Sequence, residues 1–307
     1  MNVCYRACQH VDADHLNRID AARRQSRHEG GFDNVSHLRL KNAWSKTRCA
    51  TRPCFLLPAL GYLAGAVGFQ KLAVFGKHAA GGKVRRGDIA HQFLGGDVRI
   101  LNLRHGGGDF EGSWVREGRV AAIMDNLIAE KVAVPMYVVM TNGLTDGSWA
   151  GGSTPEGIRL LERELIGDVI PLVENRYPVH RDKCCRAIAG LSMGGGQAFV
   201  IGLRNLDLFS AIGQFSAGIL SDGTFDYERY IPGVMEDPER INRELALLWI
   251  ACGTKDPRHA GHLDTVEELH RRGVRCEFHD APWGHEWQFW RLQLHDFAQR
   301  LFRNNHQ

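Results

Sequence analysis

The chain has 307 residues, 44% of them hydrophobic, with 35 glycines and a formal net charge of +3. That suits one large domain or two smaller ones with ample core, and eight cysteines in so long a chain exclude a disulfide scaffold. Residues 1–96 carry fifteen Lys/Arg against six Asp/Glu, a net of +9, whereas residues 97–307 carry twenty-three against twenty-nine, a net of −6; the larger part is therefore no nucleic-acid surface, and only the basic part has the charge for one.

Residues 1–96 show scattered His, Arg and Cys with little period-two alternation. Cys4, Cys8, His10 and His15 fit no standard zinc spacing, so no metal is expected there. The apolar run FLLPALGYLAGAVGF, residues 55–69, is too short and too glycine-rich for a membrane span. It also lies too far inward for a normal signal peptide, which leaves the compartment open. The expectation is an atypical basic N-terminal segment, poorly ordered and not a folded domain of its own. It is either an unusual extension or the product of a reading-frame error that rejoins the true frame before residue 105. The alternative is a divergent region that still supplies edge strands around 71–75 and 90–94.

From residue 97 onward strands and helices alternate. VRILNL (98–103) reads as a strand and NLIAEK (126–131) as a helix end. VPMYVVM (134–140) reads as a strong strand. Thr154-Pro155-Glu156 opens a long helix, with Thr as N-cap and Pro at the first helical position. Its apolar stripe runs through Ile158, Leu161, Leu165, Ile166, Val169, Leu172 and Val173. CCRAIAG (184–190) is a buried strand on which Cys184 and Cys185 read as reduced core residues, and GGQAFVIGLRNLDLF after it is a helix. AIGQFSA (211–217), LALLWIACG (245–253) and VRCEFHDAP (274–282) are further strands, with helices over 261–272 and 288–302. Such βα alternation predicts an α/β fold with a mostly parallel sheet flanked by helices.

The run GLSMGGG (190–196) sits between the CCRAIAG strand and its helix. Glycines allow a tight turn there, and a helix N-terminus offers free N–H groups to an oxyanion. Ser192 is thus the candidate nucleophile. A serine needs a base, and the base needs an orienting carboxylate. These groups collect at the carboxyl ends of parallel strands. LLWIACGTKD puts Asp256 after one strand, and APWGHEW puts His285 after the next; Asp280 and Asp222 are rival acids. The order Ser192, Asp256, His285 is that of an α/β-hydrolase. A tetrahedral intermediate needs two N–H donors: Met193 is one, and HGGG (105–108) supplies the other, Gly107, with Gly106 and Gly108 as rivals. Neither glycine run is followed by Lys-Ser or Lys-Thr, which argues against a P-loop. Trp287 and Trp290 are candidates to line an aromatic substrate pocket, or else core residues of the last helix.

HGGGDFEGSWVREGRVAAIMDNLIAE, IPLVENRYPVHRDKCCRAIAGLSMGGGQAFVIGLRNLDLFSAIGQFSA, LLWIACGTKD and WGHEWQFWR together resemble carbohydrate esterase family one. This is the esterase D-like group of α/β-hydrolases that includes feruloyl and acetyl xylan esterases. The resemblance runs from Val98 to Phe302. It implies a serine esterase with Ser192, Asp256 and His285 as its triad, acting on feruloyl or acetyl esters of plant polysaccharide, with no cofactor. Relatives act on thioesters or transfer acyl groups, and a non-catalytic carbohydrate-binding relative or an inactive, misfolded chain is the alternative. Two departures stand out. Members usually carry an apolar residue just before the HG of the oxyanion loop, where this chain has Arg104. Members also have an antiparallel strand pair where this chain has residues 1–96.

Overall fold

The structure, a computed structural model, describes residues 72–75, 98–145, 151–219 and 225–303. The expectations for residues 1–96 lie outside the described residues except at Leu72–Phe75, which is a strand, one of the two places where the alternative reading puts an edge strand.

Seven strands form one sheet: β1 (Leu72–Phe75), β2 (Arg99–Arg104), β3 (Met136–Thr141), β4 (Arg186–Leu191), β5 (Ala211–Phe215), β6 (Leu247–Ala251) and β7 (Glu277–His279), in the order β1-β3-β2-β4-β5-β6-β7. β1 runs antiparallel to β3, and all other pairs are parallel. The longer helices beside it are α1 (Val120–Ala129), α2 (Pro155–Glu164), α3 (Ile170–Arg176), α4 (Met193–Arg204), α5 (Pro238–Glu244), α6 (His259–Arg271) and α7 (Trp287–Arg300). The fold is that of an α/β-hydrolase.

A parallel sheet covered on both faces buries both alternate sets of side chains. Ile100, Val139, Ile188, Ile212 and Leu248 point to one face, where they meet Ile158 and Leu161 of α2, Phe199 of α4 and Leu269 of α6. Leu101, Val138, Ala187, Phe215 and Trp249 point to the other, against Val120 and Leu127 of α1 and Phe289 and Phe297 of α7. Each large side chain so buried contributes about 1.5–3 kcal/mol.

The long helix expected from Thr154 is not continuous. It starts as expected, with Thr154 accepting the Gly157 N–H and Pro155 at the first position. It then passes through a wide π-turn, Leu165–Val169, before α3 resumes at Ile170. Pro171 is the cause: it has no N–H to give, and its ring crowds the carbonyl one turn back. A one-residue insertion rotates the succeeding turn by about 100°, so Leu172 is exposed while Ile158, Leu161, Leu165, Val169 and Val173 stay buried. The strand expected over 274–282 shrinks to Glu277–His279.

After β2 the chain places β3 on one side and then crosses back to lay β4 on the other. The reversal opens a crevice at the carboxyl ends of β2 and β4. Along that edge the strand ends are laced together. The first residue past β4, Ser192, donates its N–H to Phe215 at the end of β5; Ser216 donates to Ala251 at the end of β6; Cys252 donates to His279 at the end of β7.

Candidate active site

Ser192 occupies the single position between β4 and α4, with φ 50° and ψ −119°. Few non-glycine residues adopt such backbone, and it persists only where the surroundings over-determine it. Here the Ser192 carbonyl accepts from Gly196 and Gly218, and its N–H is bonded to Phe215. The neighbouring glycines are obligatory. A Cβ on Gly190 would lie 2.4 Å from the Gly194 carbonyl oxygen, and one on Gly194 would lie 2.4 Å from the His105 carbonyl oxygen. Backbone oxygens cannot move aside as a flexible side chain could.

His285 lies in the loop between β7 and α7. Its Nε2 is 3.0 Å from Ser192 Oγ and its Nδ1 is 2.7 Å from Asp256 Oδ2. Asp256, in the loop after β6, has a fully buried side chain. Its Oδ1 accepts the Arg258 N–H at 3.0 Å. Burial pushes the Asp256 carboxyl up, but the His285 hydrogen bond and the Arg258 N–H outweigh it and hold the group down at about 2. The carboxylate is therefore charged at neutral pH. A hydroxyl bonded to an imidazole that is itself bonded to a buried carboxylate can be deprotonated as it attacks.

Of the rival acids, Asp280 pairs with His259 at 3.1 Å and its side chain is 46% exposed. Asp222 lies outside the described residues. Met193 opens α4, where the first-turn N–H groups have no acceptor inside the helix. In the 105–108 loop Gly106 is buried with its Cβ position 3.4 Å from the Ser192 Cβ, while Gly107 and Gly108 are exposed and Gly108 has φ +81°.

The two tryptophans differ. Trp290 is 6% exposed and belongs to the core on the α7 face of the sheet. Its ring stands edge to face with His285, centroids 4.9 Å apart, which makes it a support for that imidazole. Trp287 is half-buried between Trp114 and Trp290, 5.2 Å from each.

Three further residues join the site. Arg104 is buried and bonds Gln197 and Thr141; Gln197 is buried and bonds Gly143 and Gly152; His105 bonds Gly106 and Gly143. Arg104 is marked in the sequence as a charge closing an apolar strand. Gln197 carries no such signal, because its partners are 45 to 93 positions away.

The sheet and the residues gathered at its carboxyl edge define an α/β-hydrolase. The chain belongs to the family described as "Putative esterase", whose model matches residues 103–301. It is similar to an endo-1,4-beta-xylanase/feruloyl esterase of Xylanibacter ruminicola, at 35% identity over 205 residues, which are 66% of this chain and 26% of that protein. The chain thus spans about a quarter of the length of this curated relative. A solved ferulic acid esterase is 25% identical, with a TM-score of 0.56 over 67% of this chain and 86% of its own. A ferulic acid esterase of Anaeromyces mucronatus, solved with ferulic acid, shares the fold at 19% identity, with a TM-score of 0.60 over 76% of this chain and 85% of its own.

Proposed function

We propose that the chain is a serine carboxylic-ester hydrolase working through an acyl-enzyme. The observation that carries this is the unbroken line from Ser192 Oγ through His285 to the buried Asp256 carboxylate, at 3.0 and 2.7 Å. Ser192 Oγ attacks the ester carbonyl as His285 Nε2 takes its proton. Asp256 keeps the hydrogen on Nδ1 and stabilises the imidazolium. The Met193 and Gly107 N–H groups receive the oxyanion. The intermediate collapses, the alcohol leaves with the proton from His285, and water repeats the sequence to release the acid.

For substrate, we propose feruloyl or acetyl esters on plant polysaccharide. The relative named as a xylanase and feruloyl esterase, and the 25% identical ferulic acid esterase, support this choice. Trp287 is the half-buried aromatic near the base that can meet a flat acyl group, since flat rings stack or meet edge to face.

The test is hydrolysis of p-nitrophenyl acetate by the full chain, followed by Ser192→Ala. The variant should lose on the order of 10⁴-fold or more in kcat with its circular dichroism intact. Wild-type turnover in Ser192→Ala would refute the mechanism. Methyl ferulate, acetylated xylan and S-formylglutathione, assayed together, assign the acyl group. Methyl ferulate should be preferred over a bulky triglyceride.

A further inference from the structure

Arg104 ends β2 one residue before the 105–108 loop, and it is 2% exposed. Its Nε donates to Gln197 Oε1 at 2.6 Å and its Nη1 to Thr141 Oγ1 at 3.2 Å. Its Nη2 has no partner among the described residues. Burial brings its pKa down to about 10 while Glu164 pulls it up, so the side chain is a cation at neutral pH. Burying a cation on neutral acceptors is costly, and an apolar residue would avoid that cost at this position.

The contact is passed on. Gln197 Nε2 donates to the carbonyls of Gly143 and Gly152, at 3.0 and 2.7 Å. The Gly143 N–H donates to His105 Nε2 at 2.9 Å. An imidazole nitrogen that accepts a hydrogen bond carries no hydrogen, so in neutral His105 the hydrogen is on Nδ1. Nδ1–H in turn donates to the Gly106 carbonyl at 2.9 Å. That carbonyl belongs to the peptide joining Gly106 to Gly107, and no described peptide is cis. In a trans peptide the C=O and N–H point in opposite directions, so holding the Gly106 oxygen aims the Gly107 N–H.

We infer that Arg104 is a positioning residue for ester hydrolysis: through Gln197, Gly143 and His105 it sets the direction of the Gly107 N–H. The inference rests on the oxyanion role proposed above for that N–H. His105 suits the task only while neutral. Burial lowers its pKa first; the Gly106 carbonyl raises it, Arg104 lowers it further, and Glu111 and Asn142 raise it, with a net lowering. Arg104 thus acts twice, holding Gln197 by hydrogen bond and disfavouring a proton on His105 by charge.

The test uses the full chain with Arg104→Met, which fills similar space without a donor, and Arg104→Lys, which keeps the charge but on a single donor nitrogen. Two readouts are taken: kcat and KM on p-nitrophenyl acetate, and the ring ¹⁵N shifts of His105 through a pH titration, assigned by their loss in His105→Phe. Arg104→Met should lower kcat by about a hundredfold, the scale of a misplaced catalytic group, with KM nearly unchanged. His105 should lose its single Nδ1–H pattern and titrate at higher pH than in the parent. Arg104→Lys should recover part of both. Unchanged kcat in folded Arg104→Met, or a fall in kcat with His105 signals unaltered, would overturn the inference. Should Arg104→Met fail to fold, Gln197→Met breaks the same relay one link on and is judged by the same readouts. A parent chain that hydrolyses no ester would refute the proposed function instead, and the His105 signals would still decide whether Arg104 governs that ring.

Discussion

Asp256 Oδ2 and His285 Nδ1 lie 2.7 Å apart, and the aspartate side chain is closed to solvent. With the Arg258 N–H on its other oxygen, the carboxylate is held in one orientation and so holds the imidazole in one. Asp256→Asn should lower kcat by about 10⁴-fold without unfolding the chain, by spoiling the His285 tautomer. Asp280→Asn should change kcat little, because Asp280 sits exposed against His259. Steady-state assays of the two variants decide between them, and a larger effect at Asp280 means that the acid has been misassigned.

The same carboxylate couples stability to acid. Its folded pKa of about 2 lies below the ordinary 3.8. The stabilisation is therefore complete above pH 4 and is lost as pH falls through the interval from about 4 to 2. A shift of this size is worth roughly 2 kcal/mol. Urea unfolding at pH 5 and pH 2.5 should show Asp256→Asn losing less stability on acidification than the parent. Equal losses would mean that other carboxylates govern the acid limb.

Gly190→Ala tests the packing of the elbow. The added methyl carbon would fall 2.4 Å from the Gly194 oxygen and 3.0 Å from the Arg104 oxygen. Overpacking of this kind costs about 1–3 kcal/mol, so Tm should drop by several degrees and activity with it. Gly167→Ala is the control, since a Cβ there meets nothing within 4 Å. A Gly190→Ala chain with parental Tm and turnover would show that the elbow has slack.

Trp290→Ala and Trp287→Ala should separate support from substrate contact. Removing the buried Trp290 leaves a cavity beside His285 and should cost roughly 3–5 kcal/mol of stability. Removing half-buried Trp287 should raise KM for methyl ferulate about fivefold, the worth of one aromatic contact, with little change in KM for p-nitrophenyl acetate. Parallel changes on both esters would remove Trp287 from the acyl pocket.

Much of this was legible in sequence because it is local. Strands β2 to β6 fall within two residues of their apolar runs, since burial on both faces demands near-continuous apolar sequence. Ser192, Asp256 and His285 could be named because each follows a strand, and strand ends of a parallel sheet converge. Less was legible where neighbours decide. Pro171 sits inside a good apolar stripe, and only its effect on the turn before it reveals the break in the helix. β7 is shorter than its pattern: it pairs with β6 at only three positions, and Leu247 and Leu248 of β6 take no partner from it. Trp287 and Trp290 look alike in sequence, yet helical phase sends one into the core. Arg104 announces itself as a misplaced charge, but its partners Thr141 and Gln197 are 37 and 93 positions away.

The lacing of strand ends has a consequence for how the molecule fails. The amides of Ser192, Ser216 and Cys252 are each tied to the next strand across the sheet. Freeing any one of them means parting two neighbouring strand ends, so their exchange with water should follow opening of the sheet and not the fraying of a single loop. The reactive serine is thus tied into the sheet itself, and its amide should exchange with the sheet as one cooperative unit. Denaturant should abolish turnover and the far-ultraviolet signal together, with no folded but inactive species between them.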